Sequence, residues 1–312
     1  MSSARSSRRI VTSVVALGVA AAVLLTAAAG EATTPPRDRV APTKPTIDLF
    51  DQTGDLRPMF SFGARDNRTR PLQLRFRCAI DSSLLQPCAR TFEPLSDVPF
   101  GRHEMRAVAV DRAGNISRTA TLVFTIVGVW DAAADFPRVA PSENPAHDQY
   151  GNTVWSYLYS GAAIHDPALY RLLPHFDEQG GRTGAQWNIA GTGASIVTPL
   201  VGVRDASMGF HPSRDQFAIL GWRSPYTGKV SIEFTVRLSD PDAQKGGNGI
   251  EWSIDRGNTI LQSQVLFYGT DEHAAVTTDV AAGDQFYVTI NNRGDSNWDS
   301  TSGEFVVRTV VG

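Results

Sequence analysis

Apolar and polar side chains alternate along one stretch of the chain, Val230-Ser231-Ile232-Glu233-Phe234-Thr235-Val236. Successive side chains of a β-strand point to opposite faces of the sheet, so this alternation is typical of a strand with one buried face. The same period of two recurs in residues 250–254, 276–280 and 285–290, and glycine-containing turn sequences separate these stretches. The second half of the chain is therefore predicted to be built from β-strands.

Upstream, residues 46–127 contain shorter alternating stretches, such as 72–78 and 105–110, with turn sequences between them. Short strands at this spacing predict a small β-sandwich. Residues 128–312 have the length of a jelly roll of about eight to ten strands. The sequence therefore predicts an all-β protein with two sandwiches, over residues 46–127 and 128–312.

The first thirty residues have the composition of an export segment. Basic residues, including Arg8 and Arg9, precede an uncharged apolar run over residues 10–25, and small residues follow as Ala27-x-Ala29. This pattern is typical of a secretory signal peptide. An uncleaved membrane anchor is the alternative, because residues 10–30 approach the ~20 residues that span a bilayer. Residues 31–45, rich in proline, are predicted to be a linker, and the protein is predicted to be extracellular or attached to the cell surface.

Cys78 and Cys88 are the two cysteines of the chain. They follow the export segment, so both are expected in an oxidising compartment and are predicted to form one disulfide. The net charge is −3 and the pI is near 6.1, which gives no electrostatic basis for nucleic-acid binding. Membrane contact is expected only through residues 1–30, if they stay uncleaved.

The sequence contains no complete Gly-x-Ser-x-Gly nucleophile motif and no His-x-x-x-His pair. These are the local patterns of a serine hydrolase and of a common zinc site. The chain is therefore predicted not to be an enzyme. Its acidic residues are numerous enough that a polysaccharide hydrolase with two carboxylates stays an alternative.

Two families share motifs with the chain. Phe76-Arg77-Cys78, Cys88, Gly101-Arg102-His103 and the run 108–115 resemble a bacterial Ig-like domain, which implies a structural spacer. In the second half, Trp155-Ser156-Tyr157, Gly221-Trp222, Gly247-Asn248-Gly249 and Gly283-Asp284 are among the matching pieces. They resemble a jelly-roll module of secreted bacterial proteins that is similar to carbohydrate-binding domains, with Asn248 at a position more often occupied by Asp. This resemblance implies a polysaccharide or cell-surface glycan as partner.

All six tryptophans and all seven tyrosines lie in residues 128–312. Aromatic rings stack on sugar rings, but they also fill sandwich cores. Trp155, Trp222 and Trp252 lie within strand patterns and are expected in the core. Trp298 lies in a polar loop, so it is the leading candidate for ligand binding, followed by Tyr150 and Trp187.

The same loop contains a pattern of alternating oxygen ligands, Asp295, Asn297 and Asp299, that suits a hard cation such as calcium. The resemblance implies a structural calcium where the final strand meets the first, which would add Asp135 to the ligands. The alternative is that these side chains only cap the loop backbone. No cofactor is required, and structural calcium is the candidate cation.

These observations together predict an exported, non-enzymatic binding or adhesion protein. The jelly roll would bind glycan, and the Ig-like sandwich would be its spacer. A purely structural or protein-binding surface module and a polysaccharide hydrolase are the two alternatives.

Overall fold

The computed structural model describes residues 36–50, 55–140, 142–161, 163–180, 184–191, 200–204, 206–239 and 246–311. The chain divides into Met1–Asp38 and one compact unit, Arg39–Gly312. The predicted signal peptide or membrane anchor, residues 1–30, lies outside the described residues. Within the described ranges, no helix is both long enough and apolar enough to cross a bilayer.

The regular secondary structure of the described residues is β-strand, apart from two 3₁₀ turns at Pro71–Gln73 and Pro167–Leu169. The all-β class predicted from the sequence is therefore confirmed. In chain order the strands are β1 (Thr46–Phe50), β2 (Met59–Gly63), β3 (Arg75–Ile80), β4 (Gln86–Cys88), β5 (Thr91–Phe92), β6 (Gly101–Val110), β7 (Ala120–Ile126), β8 (Val129–Asp131), β9 (Ala146–His147), β10 (Thr153–Ser160), β11 (Arg171–Leu172), β12 (His175–Gly180), β13 (Gly184–Asn188), β14 (Leu200–Arg204), β15 (Ser207–His211), β16 (Phe217–Arg223), β17 (Gly228–Leu238), β18 (Ile250–Arg256), β19 (Thr259–Leu266), β20 (Asp271–Val280), β21 (Gln285–Asn291) and β22 (Thr301–Thr309).

Strands β1 to β7 form the first sandwich. They pair into two antiparallel sheets, ordered β1-β2-β5 and β4-β3-β6-β7. Their alternating side chains meet in one core, which includes Phe60, Phe76, Met105 and Phe124. Burying large rings from facing sheets is the main stabilising contribution to a sandwich of this size.

A disulfide joins β3 to β4 in this sandwich. The Cα atoms of Cys78 and Cys88 lie 5.9 Å apart, within the usual range for bonded cysteines. The disulfide predicted from the sequence is thus confirmed.

Strands β8 to β22 form the second sandwich. One sheet has the order β11-β10-β16-β21-β18-β19, with β9 paired to β10; the other has the order β12-β13-β14-β15-β22-β17-β20, with β8 paired to β22. We name them the seven-stranded and the eight-stranded sheet. The fifteen described strands exceed the eight to ten expected, partly because β8, β9 and β11 are pairings of two or three residues that have no clear sequence pattern.

Aromatic side chains from both sheets fill the core of the second sandwich. Trp155, Trp222 and Trp252 are at most 1% exposed, as the strand pattern predicts. Trp252 packs edge-on against Phe234 of the facing sheet, with ring centroids 5.7 Å apart. These contacts fix the inner faces of the sheets, so the outer faces and the loops remain for binding.

One ring of the first sandwich joins the two cores. Phe100 packs edge-on against Trp130, Tyr150 and Tyr226 of the second sandwich, with centroid distances of 5.5, 5.3 and 5.9 Å. Gly128, in the connection between the sandwiches, leaves room for this cluster, since a Cβ there would lie 3.1 Å from the Phe100 ring. We call these residues the aromatic joint.

We predict that Phe100→Ala destabilises the protein by about 2–3 kcal/mol, because truncating a largely buried ring removes apolar contacts and leaves a cavity. Urea unfolding measures this change. Leu95→Ala is the matched control, because the Leu95 side chain is fully exposed. Equal unfolding midpoints for Phe100→Ala and the wild type would contradict a stabilising joint.

We also predict that replacing Cys78 and Cys88 together by serine lowers the free energy of unfolding by about 2–3 kcal/mol. The disulfide closes a loop with a sequence separation of 10, and that loop constrains the unfolded chain. Thermal unfolding with and without reductant provides the measurement. A reductant effect that persists in the double variant would show that the disulfide is not its cause.

Candidate functional site

The outer face of the seven-stranded sheet contains the candidate site. Along β10, Trp155 and Tyr157 point into the core, whereas Ser156 and Leu158 point outward. The strand registers align Ser156, Gly221, Tyr287 and Asp255 in one outward row across β10, β16, β21 and β18. Side chains that are distant in sequence therefore share one surface.

A groove lies in this row at Gly221. The glycine has no side chain, so the surface is hollow between Ser156 and Tyr287. A Cβ at this position would lie 3.2 Å from Leu158 Cδ1 and 3.3 Å from Tyr287 Cδ1. The resulting cavity has a volume of about 210 Å³, and Arg223 and Gln285, both exposed, lie in the adjoining row.

The segment 163–170, between β10 and β11, covers one side of the groove. Asp166 caps the 3₁₀ turn Pro167–Leu169 by accepting a hydrogen bond from the Ala168 N–H. This turn brings Tyr170 onto the outer sheet face, where its ring packs edge-on against Tyr287 at 5.0 Å. With Leu158 and Ile219 the two tyrosines form a small apolar cluster separate from the core, which is the apolar wall of the groove.

A histidine–aspartate pair anchors the same segment. His165 Nδ1 lies 2.8 Å from Oδ2 of Asp255, whose side chain is fully buried. The backbone N–H of His165 donates to the Tyr170 hydroxyl at 2.9 Å. The segment is thus bonded to β18 through His165 and packed on β21 through Tyr170.

The surroundings of Asp255, Tyr170 and Tyr287 shift the pKa values of these three groups. Burial raises the pKa of Asp255, while hydrogen bonds from His165 and Ser253 lower it. Burial also raises the pKa of Tyr287. It raises the pKa of Tyr170 still more, although the hydrogen bond from the His165 N–H lowers it. Both phenols therefore keep their protons at neutral pH, so each can donate a hydrogen bond.

Of the residues predicted to bind ligand, Trp298 is at the surface and is 38% exposed. Trp187 is 4% exposed and stacks on Tyr157 in the core. Tyr150 belongs to the aromatic joint, and its hydroxyl accepts a hydrogen bond from the Val129 N–H. Because their rings are packed against protein, Trp187 and Tyr150 are not available as surface platforms for a sugar.

None of the groove residues was among the ligand-binding candidates predicted from the sequence, although Ser156 and Gly221 belong to the motifs shared with the jelly-roll module. Tyr287 alternates along β21 with Phe286 and Val288, which point into the core. This alternation places the Tyr287 ring on the outer face. Gly221 similarly interrupts the outward row of β16 between Ile219 and Arg223. These patterns are visible in the sequence, but the strand registers that bring the residues together are not.

Of the predicted metal ligands, Asp299 has an unusual environment. Its side chain is 1% exposed, and neither carboxylate oxygen has a hydrogen-bond donor among the described residues. Burial and the Asp295 carboxylate raise the pKa of Asp299 to about 8, although Arg293 lowers it. Buried oxygens without donors fit an oxygen-seeking cation.

Asn248 is an additional oxygen donor near this loop. Its Nδ2 donates to the carbonyls of Asn292 and Arg293, and its buried Oδ1 has no partner among the described residues. Asp299 and Asn248 thus each present a buried oxygen without a partner among the described residues, and the carboxylate of Asp295 is close enough to act on Asp299. A cation bound at Asp299 would supply the charge that balances the buried carboxylate.

The other two predicted ligands have different surroundings. The Asn297 side chain is exposed. The Asp135 carboxylate accepts a hydrogen bond from Trp155 Nε1. Burial and the carboxylates of Asp148 and Asp131 raise the pKa of Asp135 to about 6, against this hydrogen bond. Asp135 is thus influenced by Asp148 and Asp131, whereas Asp299 is influenced by Asp295 and Arg293. Asp135 also has a hydrogen-bond partner of its own in Trp155.

No protein-family model matches the chain, and no curated protein matches it. Solved structures with some similarity include a CBM51 module and INT domains of Clostridium perfringens ZmpB in complex with GlcNAc. That match has 9% identity and a TM-score of 0.29, and it covers 80% of this chain and 43% of the other. The chain therefore spans less than half the length of that structure.

Two further similar structures are single binding modules. One is CBM51 from Clostridium perfringens GH95 in complex with methyl-galactose, at 16% identity and a TM-score of 0.27, covering 34% of this chain and 72% of that one. The other is a family 29 carbohydrate-binding module with cellulohexaose, at 9% identity and a TM-score of 0.27, covering 51% and 95%. Such values assign neither a family nor a ligand to this chain.

We predict that calcium raises the melting temperature of the protein by a few degrees relative to chelator, because a ligand held only by the folded state stabilises that state. Asp299→Asn should abolish the shift. Asp271→Asn, which neutralises an exposed carboxylate on β20, is the matched control and should keep it. Identical wild-type midpoints in calcium and in chelator would contradict a cation site.

Proposed function

We propose that the second sandwich binds a glycan in the groove at Gly221 without chemical turnover. The supporting observation is the composition of the groove. An apolar wall of Leu158, Tyr170 and Tyr287 lies beside the polar side chains of Ser156 and Gln285. A sugar presents C–H surfaces and hydroxyl groups on one ring, so it needs both kinds of contact.

Binding is favoured over hydrolysis by the acid–base groups of this site. Among the described residues, none that lines the groove is Asp or Glu, whereas glycosidases generally place two carboxylates across the scissile bond. His165 and Asp255 resemble two members of a catalytic triad. Among the described residues, however, no hydroxyl or thiol side chain is bonded to the imidazole, so a nucleophile is missing from the pair.

We propose further that the protein acts outside the cell, with the first sandwich as spacer. The apolar segment in residues 10–25 and the Cys78–Cys88 disulfide support export. The aromatic joint supports the spacer role, because it packs the first sandwich against the second through Phe100. A glycan-binding groove held on such a spacer is the arrangement expected of an adhesion module.

Trp298 provides a second location for the same function. The registers of β18, β19 and β21 place the loops after Leu266 and Asn291 at one end of the sandwich. Phe267, Tyr268 and Trp298 lie in these loops and are 54%, 46% and 38% exposed. Exposed aromatic rings at a sandwich end are a second arrangement that suits sugar stacking.

A glycan array probed with the purified protein tests the proposal, and Gly221→Val tests the groove. We predict that the valine reduces affinity at least tenfold, because its side chain fills the hollow. Trp298→Ala should leave that affinity within about twofold, and a circular dichroism spectrum checks that each variant is folded. Loss of binding only in Trp298→Ala would show that the glycan binds at the loops and not in the groove. If the wild type binds no glycan, the result would favour a structural or protein-binding module.

A further inference from the structure

The guanidinium of Arg223 is an unneutralised cation beside the groove. Arg223 is exposed, projects from the outer face of β16 and lies opposite Gln285 of β21. Among the described residues, nothing forms a hydrogen bond or an ion pair with its side chain. All five N–H donors of the guanidinium are therefore available to a ligand.

The nearest acidic turn does not neutralise this charge. A Cβ at Gly283 would lie 3.7 Å from Arg223 Nη2, which places the guanidinium beside the turn that contains Asp284. The Asp284 carboxylate instead accepts hydrogen bonds from the Ala281 N–H and from Arg256 Nη2, the latter at 2.6 Å. These two donors lower the pKa of Asp284 even though burial opposes them. Asp284 is thus already paired.

The polar groups of the groove are mainly unused donors. Gln285 Oε1 accepts the Tyr287 hydroxyl at 2.7 Å, so the Gln285 amide N–H groups remain free to donate. The Tyr170 oxygen accepts from the His165 N–H, which leaves the phenolic hydrogen for another acceptor. A site that offers donors and a positive charge, and has no Asp or Glu among its described lining residues, complements a ligand rich in acceptors.

We infer that the groove is selective for an acidic saccharide, one with a carboxylate or sulfate group on the sugar ring. This inference rests on the proposed function. The anionic oxygens would meet Arg223 and Gln285, while the ring would contact the apolar wall at Tyr170. A guanidinium can bind two oxygens of one anionic group at the same time, whereas a lysine would act only as a point charge.

The experiment compares matched ligands in a titration with the purified protein. The probes are oligomers of galacturonate, of hyaluronate and of alginate, each tested beside its carboxyl-reduced neutral form and beside that neutral form after chemical sulfation. The wild type should bind at least one acidic oligomer about tenfold more tightly than its neutral form. Preference for the carboxylate or for the sulfate identifies the anionic group.

Three variants then locate the selectivity. Arg223→Gln should lose about tenfold in affinity for the acidic oligomer and change affinity for the neutral form less than twofold, since a charge-assisted hydrogen bond is lost. Arg223→Lys should recover part of the loss. Arg237→Gln is the matched control, because Arg237 is exposed on the eight-stranded sheet, and it should bind like the wild type.

Three results would overturn the inference, and they are distinguishable. If the wild type binds acidic and neutral oligomers equally, and Gly221→Val abolishes both, the groove is a glycan site without selectivity for anions. If the wild type binds neither, on the array or in the titration, the proposed function fails together with the inference. Equal loss in Arg223→Gln and in Arg237→Gln would assign the effect to overall charge.

Discussion

The pleat of the β-strand is the constraint on which the second sandwich depends. When two sheets pack face to face, each strand can bury only alternate side chains in the shared core. In β16 this commits Leu220 and Trp222 to the interior and leaves Ile219, Gly221 and Arg223 outside. The same alternation of inward and outward side chains in β10, β21 and β18 produces an outer surface whose composition is independent of the core. The groove is formed by these outward-facing residues.

The outer face of the seven-stranded sheet is unusual because part of it is shielded from solvent. Leu158, Ile219, Tyr170 and Tyr287 are at most 8% exposed although they lie outside the main core. The burial arises because segment 163–170 covers the sheet, and the His165–Asp255 pair bonds that segment to β18. The covering segment and the missing side chain at Gly221 together turn a flat sheet into a concave site.

The sequence predicted the all-β class, the disulfide and the core positions of Trp155, Trp222 and Trp252, because these depend on local alternation and on the presence of two cysteines. The candidate site could not be predicted in the same way. Tyr170 and Tyr287 are 117 positions apart and meet only through strand registers and a covering loop. Trp187 and Tyr150 showed the reverse difficulty, since an aromatic residue outside a clear strand pattern can equally fill a core or a joint. Trp298 could be placed at the surface because its eight neighbours in residues 291–299 are all polar residues or glycine.

The aromatic joint has a consequence for how the groove would meet an immobile polymer. Two modules on a flexible tether sample many relative orientations, and capturing a ligand on a surface then removes part of that freedom at a cost in affinity. Phe100, held among Trp130, Tyr150 and Tyr226, removes this freedom when the protein folds. The entropy of orienting one sandwich against the other is thus lost before any encounter. A fixed joint also transmits tension directly from one sandwich to the other. The orientation of the groove relative to the first sandwich would therefore be preserved under flow.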